Sequence, residues 1–104
     1  MNPKVAETWN FALAKLAKAK EYIDAGKEEP AKTELAKAVY VGAGAIYYLL
    51  GKGKVEQTAY AAAQGFITDL AGEDVAAVDA LIAANKILTT FAELSPEEDR
   101  LPAP

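Results

Sequence analysis

Apolar residues recur at Val5, Trp9, Ala12, Leu16, Ala19 and Ile23, in steps of 4, 3, 4, 3 and 4. This spacing lines one face of an α-helix and predicts a helix over 3–25. Asn2 precedes it as a cap for free N–H groups, Pro3 suits the first helical position, and Gly26 supplies a stop. Ala31, Leu35, Ala38, Gly42, Ala45 and Leu49 repeat the same steps. Glu28, Glu29 and Pro30 form the first turn of this second helix, and Gly51-Lys52-Gly53 ends it. Val55, Ala59, Ala62, Phe66 and Leu70 predict a third helix over about 55–71, stopped by Gly72. Ala77, Leu81, Ala84, Leu88 and Phe91 predict a fourth, which Glu73-Asp74 opens after a very short turn. Ser95-Pro96-Glu97-Glu98 reads as one further N-terminus, with Ser95 as cap and Glu98 closing a capping box. Leu101-Pro102-Ala103-Pro104 cannot continue a helix and is expected to be extended.

The β-branched residues fall on helical spacing, so no strand competes. The expected fold is all-α: an up-down-up-down antiparallel four-helix bundle over 1–94, then a short capped C-terminal turn and extended tail over 95–104.

The second helix departs from an ordinary amphipathic pattern. Its uncharged run from Ala38 to Leu50 spans thirteen residues. A membrane-spanning helix needs roughly 20, so the run predicts a buried helix and no membrane association. Val39, Ile46 and Leu50 widen the seam, and Tyr40, Gly44 and Tyr47 form another stripe with Tyr48 beside it. A helix that is apolar nearly all round is expected to be covered on every side. In a four-helix monomer each helix keeps one face in water, so cover from a second subunit is expected. Gly42 and Gly44 each cost about 1 kcal/mol in helix propensity relative to Ala. That cost implies a close approach by another helix, another chain or a flat ligand.

Composition narrows the chemistry. The chain has 104 residues, 23 of them alanine, with no cysteine and no histidine. Disulfides, thiolate nucleophiles, Cys/His metal sites and His-dependent triads are therefore excluded. A carboxylate-bridged di-metal bundle site normally draws on Glu-x-x-His pairs, which are missing. Ser95 is the only serine, and its context explains it as a cap. Gly51-Lys52-Gly53-Lys54 resembles a phosphate-holding turn but lacks the P-loop spacing and its preceding strand. No catalytic residue, metal or cofactor is expected. The net charge of -4 disfavours nucleic acid as a partner. Residues 1–54 carry nine Lys against six acids (+3), and 55–104 carry two basic residues against nine acids (-7). That asymmetry suits pairing between copies, basic half against acidic half. The N-terminus has no secretory h-region, and a cytoplasmic protein is expected.

The interface or ligand candidates are Tyr40, Gly42, Gly44, Tyr47 and Tyr48 on the second helix, Trp9 on the first and Asn85 on the fourth. Asn85 is the one polar residue close to the apolar stripe of its helix, placed to fix register with a partner or bond a ligand. Trp9 lies on a core seam but, with the tyrosines, is also placed to line a pocket between helices.

The stretch Ala19 to Gly26, followed by Pro30-Ala31, Leu35 and Ala38, resembles a helical hairpin of two families. Tyr22, Gly26, Ala31, Leu35 and Ala38 match later positions of a tetratricopeptide unit, although its earlier Trp, Leu and Gly positions do not match and no second copy follows. The hairpin is also similar to the opening helices of HEPN-type bundles. That resemblance implies a bundle that dimerises, without nuclease activity, because the Arg-x4–6-His motif is absent. The expected function is a non-enzymatic interaction or scaffold module, homodimeric through the second helix and open to another protein partner. The alternative is a carrier of an apolar or aromatic small molecule between the first two helices.

Overall fold

A computed structural model of the chain describes residues 2–50, 54–72 and 74–104, with side chains for all of these except 54–56. Four helices follow one another: α1 (Pro3–Asp24), α2 (Glu28–Leu50), α3 (Lys54–Gly72) and α4 (Ala77–Glu93). A 3₁₀ turn, Glu97–Asp99, precedes the extended tail. Among the described residues there is no strand.

The start and stop of α1 are local. The Asn2 side chain accepts the Lys4 N–H at 2.9 Å, and Pro3 takes the first position. Gly26 adopts φ +74, where a side chain would be strained, and Lys27 N–H closes back on the Tyr22 carbonyl at 2.8 Å. Val5, Trp9, Ala12, Leu16 and Ala19 are all buried, as their spacing predicts.

Contacts at successive heights give the helix directions. Lys15 of α1 pairs with Glu34 at 3.3 Å and Trp9 lies beside Gly42, so α1 and α2 are antiparallel. Tyr60 of α3 meets Tyr47, while Ile67 and Leu70 share a crevice with Thr33 and Glu29, so α3 also runs against α2. The first turns of α2 and α4 meet through Glu28 and Ala77, and Gly42 lies beside Leu88, so these two are parallel. The result is the up-down-up-down bundle.

The bundle is not square. α2 packs against all three other helices, its α1 seam being the most extensive. Among the described residues α1 and α3 make no close approach, and α3 and α4 touch only sparingly. Gly42 permits this arrangement, because a Cβ there would come 2.5 Å from Leu88 Cδ2. The α2 and α4 axes therefore draw together across the bundle.

Two predicted boundaries are corrected. Helix α4 opens at Ala77, not at Glu73-Asp74. Asp74–Ala76 are non-helical, Val75 packs on the core, and the Ala76 cap makes no side-chain hydrogen bond. The Ala77 N–H instead donates to Glu28 Oε2 of α2 at 2.8 Å, a cap supplied from 49 residues away. Ser95 does not cap the C-terminal turn. It is buried, donates to the Ala92 carbonyl, and accepts the Leu101 N–H at 2.9 Å. Gly51, Lys52 and Gly53, which carry most of the phosphate-turn candidate, lie outside the described residues, as does Glu73.

The tail is extended as expected and also packs into the bundle. Leu101 is buried, and the Trp9 Nε1–H donates to the Pro102 carbonyl at 2.7 Å. Arg100 donates to the Ala92 and Glu93 carbonyls at the end of α4, where unpaired carbonyls favour a cation.

Candidate functional site

The apolar circumference of α2 is accounted for mostly within the chain. Ala38, Val39, Gly42, Ala43, Ala45 and Ile46 are buried by the other three helices. The expectation that the whole middle of α2 requires a second subunit is corrected accordingly, because α2 occupies the centre of the bundle. What stays uncovered is one face. Tyr40 is 54% exposed, Tyr48 is 48% exposed, and Val41, Gly44 and Tyr47 are half-buried.

The tyrosines of this face form a connected cluster with α3. The Tyr40 and Tyr60 rings lie 5.9 Å apart, Tyr47 and Tyr60 6.1 Å, and Tyr47 and Tyr48 6.0 Å. All three pairs are tilted or edge-on, the geometry ring quadrupoles favour. Gly44 makes room for it. A Cβ there would lie 3.6 Å from the Tyr60 hydroxyl, so that ring reaches across α2 at its lowest point. Burial raises the Tyr60 phenol above its ordinary value of 10.0, and the neighbouring Tyr40, Tyr48 and Tyr47 add to the rise.

The α1 side carries cations. Lys4 Nζ stands 4.7 Å from the centre of the Tyr48 ring, and Lys15 Nζ 5.1 Å from that of Phe11, itself an exposed ring. Lys15 and Lys37 both approach the Glu34 carboxylate, at 3.3 and 3.9 Å.

The seven sequence candidates separate into three places. Tyr40, Gly44, Tyr47 and Tyr48 come together in the cluster. Trp9 and Gly42 belong to the core, Trp9 fully enclosed and Gly42 against Leu88, Trp9 and Phe91. Asn85 lies on the outer side of α4, lining a shallow depression with Ile82, Lys86, Thr89 and Thr90. Lys4, Phe11 and Lys15 complete the aromatic face but carried no sequence signal, since they stand off the α1 seam. The α1–α2 seam is closed by Trp9, Leu16, Leu35 and Ala38.

The chemistry of the face is contact chemistry. Tyrosine offers a large rigid apolar ring with a hydroxyl that can meet water or a partner. Among the described residues no three acidic groups gather as a metal cluster. No helix among them is long and apolar enough to cross a membrane. Comparison of the chain with protein-family models, curated proteins and solved structures finds no match.

Proposed function

We propose that this chain is a non-enzymatic, cytoplasmic interaction module that self-associates through the tyrosine face of α2, a dimer being its smallest assembly. The observation that carries this reading is the pair of half-exposed rings, Tyr40 and Tyr48, fixed on the central helix and joined through Tyr47 and Tyr60. Rings held by neighbouring rings lose little conformational freedom when a partner arrives, which is why tyrosine is enriched at interface centres. The closed α1–α2 seam favours this reading over a small-molecule carrier.

Light scattering across a dilution series tests it. The wild-type mass is expected to rise with concentration from 11.0 kDa towards twice that value or beyond. Tyr40→Ser combined with Tyr48→Ser is expected to hold it at the single-chain mass. A wild-type protein that stays at one chain throughout overturns the proposal.

A further inference from the structure

We infer that the aromatic face of α2 takes the outer ridge of α4 from a second copy, so that chains join head to tail. This rests on the self-association reading and adds the identity of the opposing surface.

The first ground is that the molecule exposes two apolar surfaces on opposite sides. Gly42 turns towards α4, whereas Tyr40 and Gly44 stand two residues to either side of it, about 200° away around the helix. On α4, Leu88 and Phe91 meet Gly42, while Val78 (50% exposed) and Ile82 (53%) stand on the far side. One chain cannot fold either surface onto the other. A second copy can bring them together.

The second ground is shape. Val78, Ile82, Asn85 and Thr89 follow steps of 4, 3 and 4, a straight ridge along α4 whose Ile82, Asn85 and Thr89 also border the shallow depression. Lys37, Val41, Gly44 and Tyr48 follow the same steps on the open side of α2. Tyr60 lies over Gly44, its hydroxyl 3.6 Å from where a Cβ would stand, so the face between Tyr40 and Tyr48, about 12 Å apart along the axis at 1.5 Å per residue, is an aromatic surface and not an open groove. The exposed Val78 and Ile82 present an apolar stripe that lies along such a surface.

The third ground is charge. Lys4, Lys15 and Lys37 border the aromatic face, and the Glu34 carboxylate pairs there with Lys15 and Lys37. Asp79 and Glu93 lie on α4, with Lys86 as its only cation. The helix α4 thus carries two carboxylates against one cation. A two-fold contact of α2 with α2 would bring lysines against lysines, whereas α2 against α4 brings three lysines to a surface holding Asp79 and Glu93 against the single cation Lys86. A contact between unlike surfaces continues into a chain or closes as a ring.

A mixing experiment separates the possibilities. Tyr40→Glu with Tyr48→Glu disables the aromatic face, and Val78→Lys with Ile82→Lys disables the ridge. All four side chains are exposed, and circular dichroism checks that both variants remain helical. Should either lose its helicity, Lys4→Glu with Lys37→Glu and Asp79→Lys with Glu93→Lys replace them. Each variant alone is expected to associate more weakly than wild type by on the order of a hundredfold. An equimolar mixture is expected to form a dimer of one copy of each, because one intact face then meets one intact ridge. If the ridge variant associates like wild type, or the mixture forms no dimer, the head-to-tail contact is wrong while self-association stands. A wild-type protein that never exceeds one chain overturns both.

Discussion

Gly42 and Gly44 stand two residues apart on α2 and meet different neighbours. A methyl group at 42 would press on Leu88, which is fully buried, and would stand 3.4 Å from Trp9 and 3.5 Å from Phe91. Overpacking of this kind costs about 1–3 kcal/mol, against about 1 kcal/mol gained in helix propensity. Gly42→Ala is therefore expected to destabilise the fold by about 1 kcal/mol in chemical denaturation. At Gly44 the nearest atom, the Tyr60 hydroxyl, leaves ordinary contact distance, so Gly44→Ala is expected to stabilise by about 0.5–1 kcal/mol. Tyr60 supplies a pH test at the same scale. Its phenol is raised in the folded chain, so the folded state keeps that proton where the unfolded state has lost it. The associated stability is fully present below 10.0 and is lost as the pH climbs through the folded value. Tyr60→Phe is expected to flatten that part of the alkaline stability curve, and phenolate absorbance is expected to show one tyrosine of the native protein ionising late.

At the scale of elements, two tertiary fastenings hold what local sequence does not. Glu28 of α2 caps α4 at Ala77, so Glu28→Ala is expected to cost about 1 kcal/mol and to raise hydrogen exchange in the first turn of α4. The tail closes over Trp9, the only tryptophan, which makes its docking visible. Leu101→Ala is expected to cost about 2–5 kcal/mol. Removing residues 101–104 is expected to shift Trp9 fluorescence to the red by admitting water to the indole. These fastenings also mark where sequence reading stops. The bounds of α1 were legible because Asn2, Pro3 and Gly26 act within one turn of themselves. The opening of α4 was not, because its cap lies on another helix and Asp74 offers a plausible local substitute. Ser95 carried a convincing capping pattern, yet its hydroxyl is taken by Ala92 and Leu101. Nothing in the spacing announces that a buried serine will bind a tail.

At the scale of the whole molecule, the sequence showed that α2 is apolar almost all round but not what covers it. Periodicity reports the faces of a helix, not the identity of its neighbours. Three neighbours come from the chain itself, because α1 and α3 stand apart and α4 closes in through Gly42. The tyrosines were legible as a stripe. The convergence of Tyr60 and the lysine border required the tertiary arrangement. A stable interface takes about 800 Å² from each partner, against a total accessible surface of 5856 Å². Tyr40 and Tyr48 cannot provide that alone, so Phe11, Val41 and the bordering lysines must take part, and association is expected to weaken as salt screens those charges. The claim that these rings are covered only by another copy is tested most directly by tyrosine nitration across a concentration series, read by peptide mass spectrometry. Modification of Tyr40 and Tyr48 is expected to fall as concentration rises, while Tyr22 at the far end of α1 stays constant. Equal reactivity of Tyr40 and Tyr48 at every concentration would contradict the account.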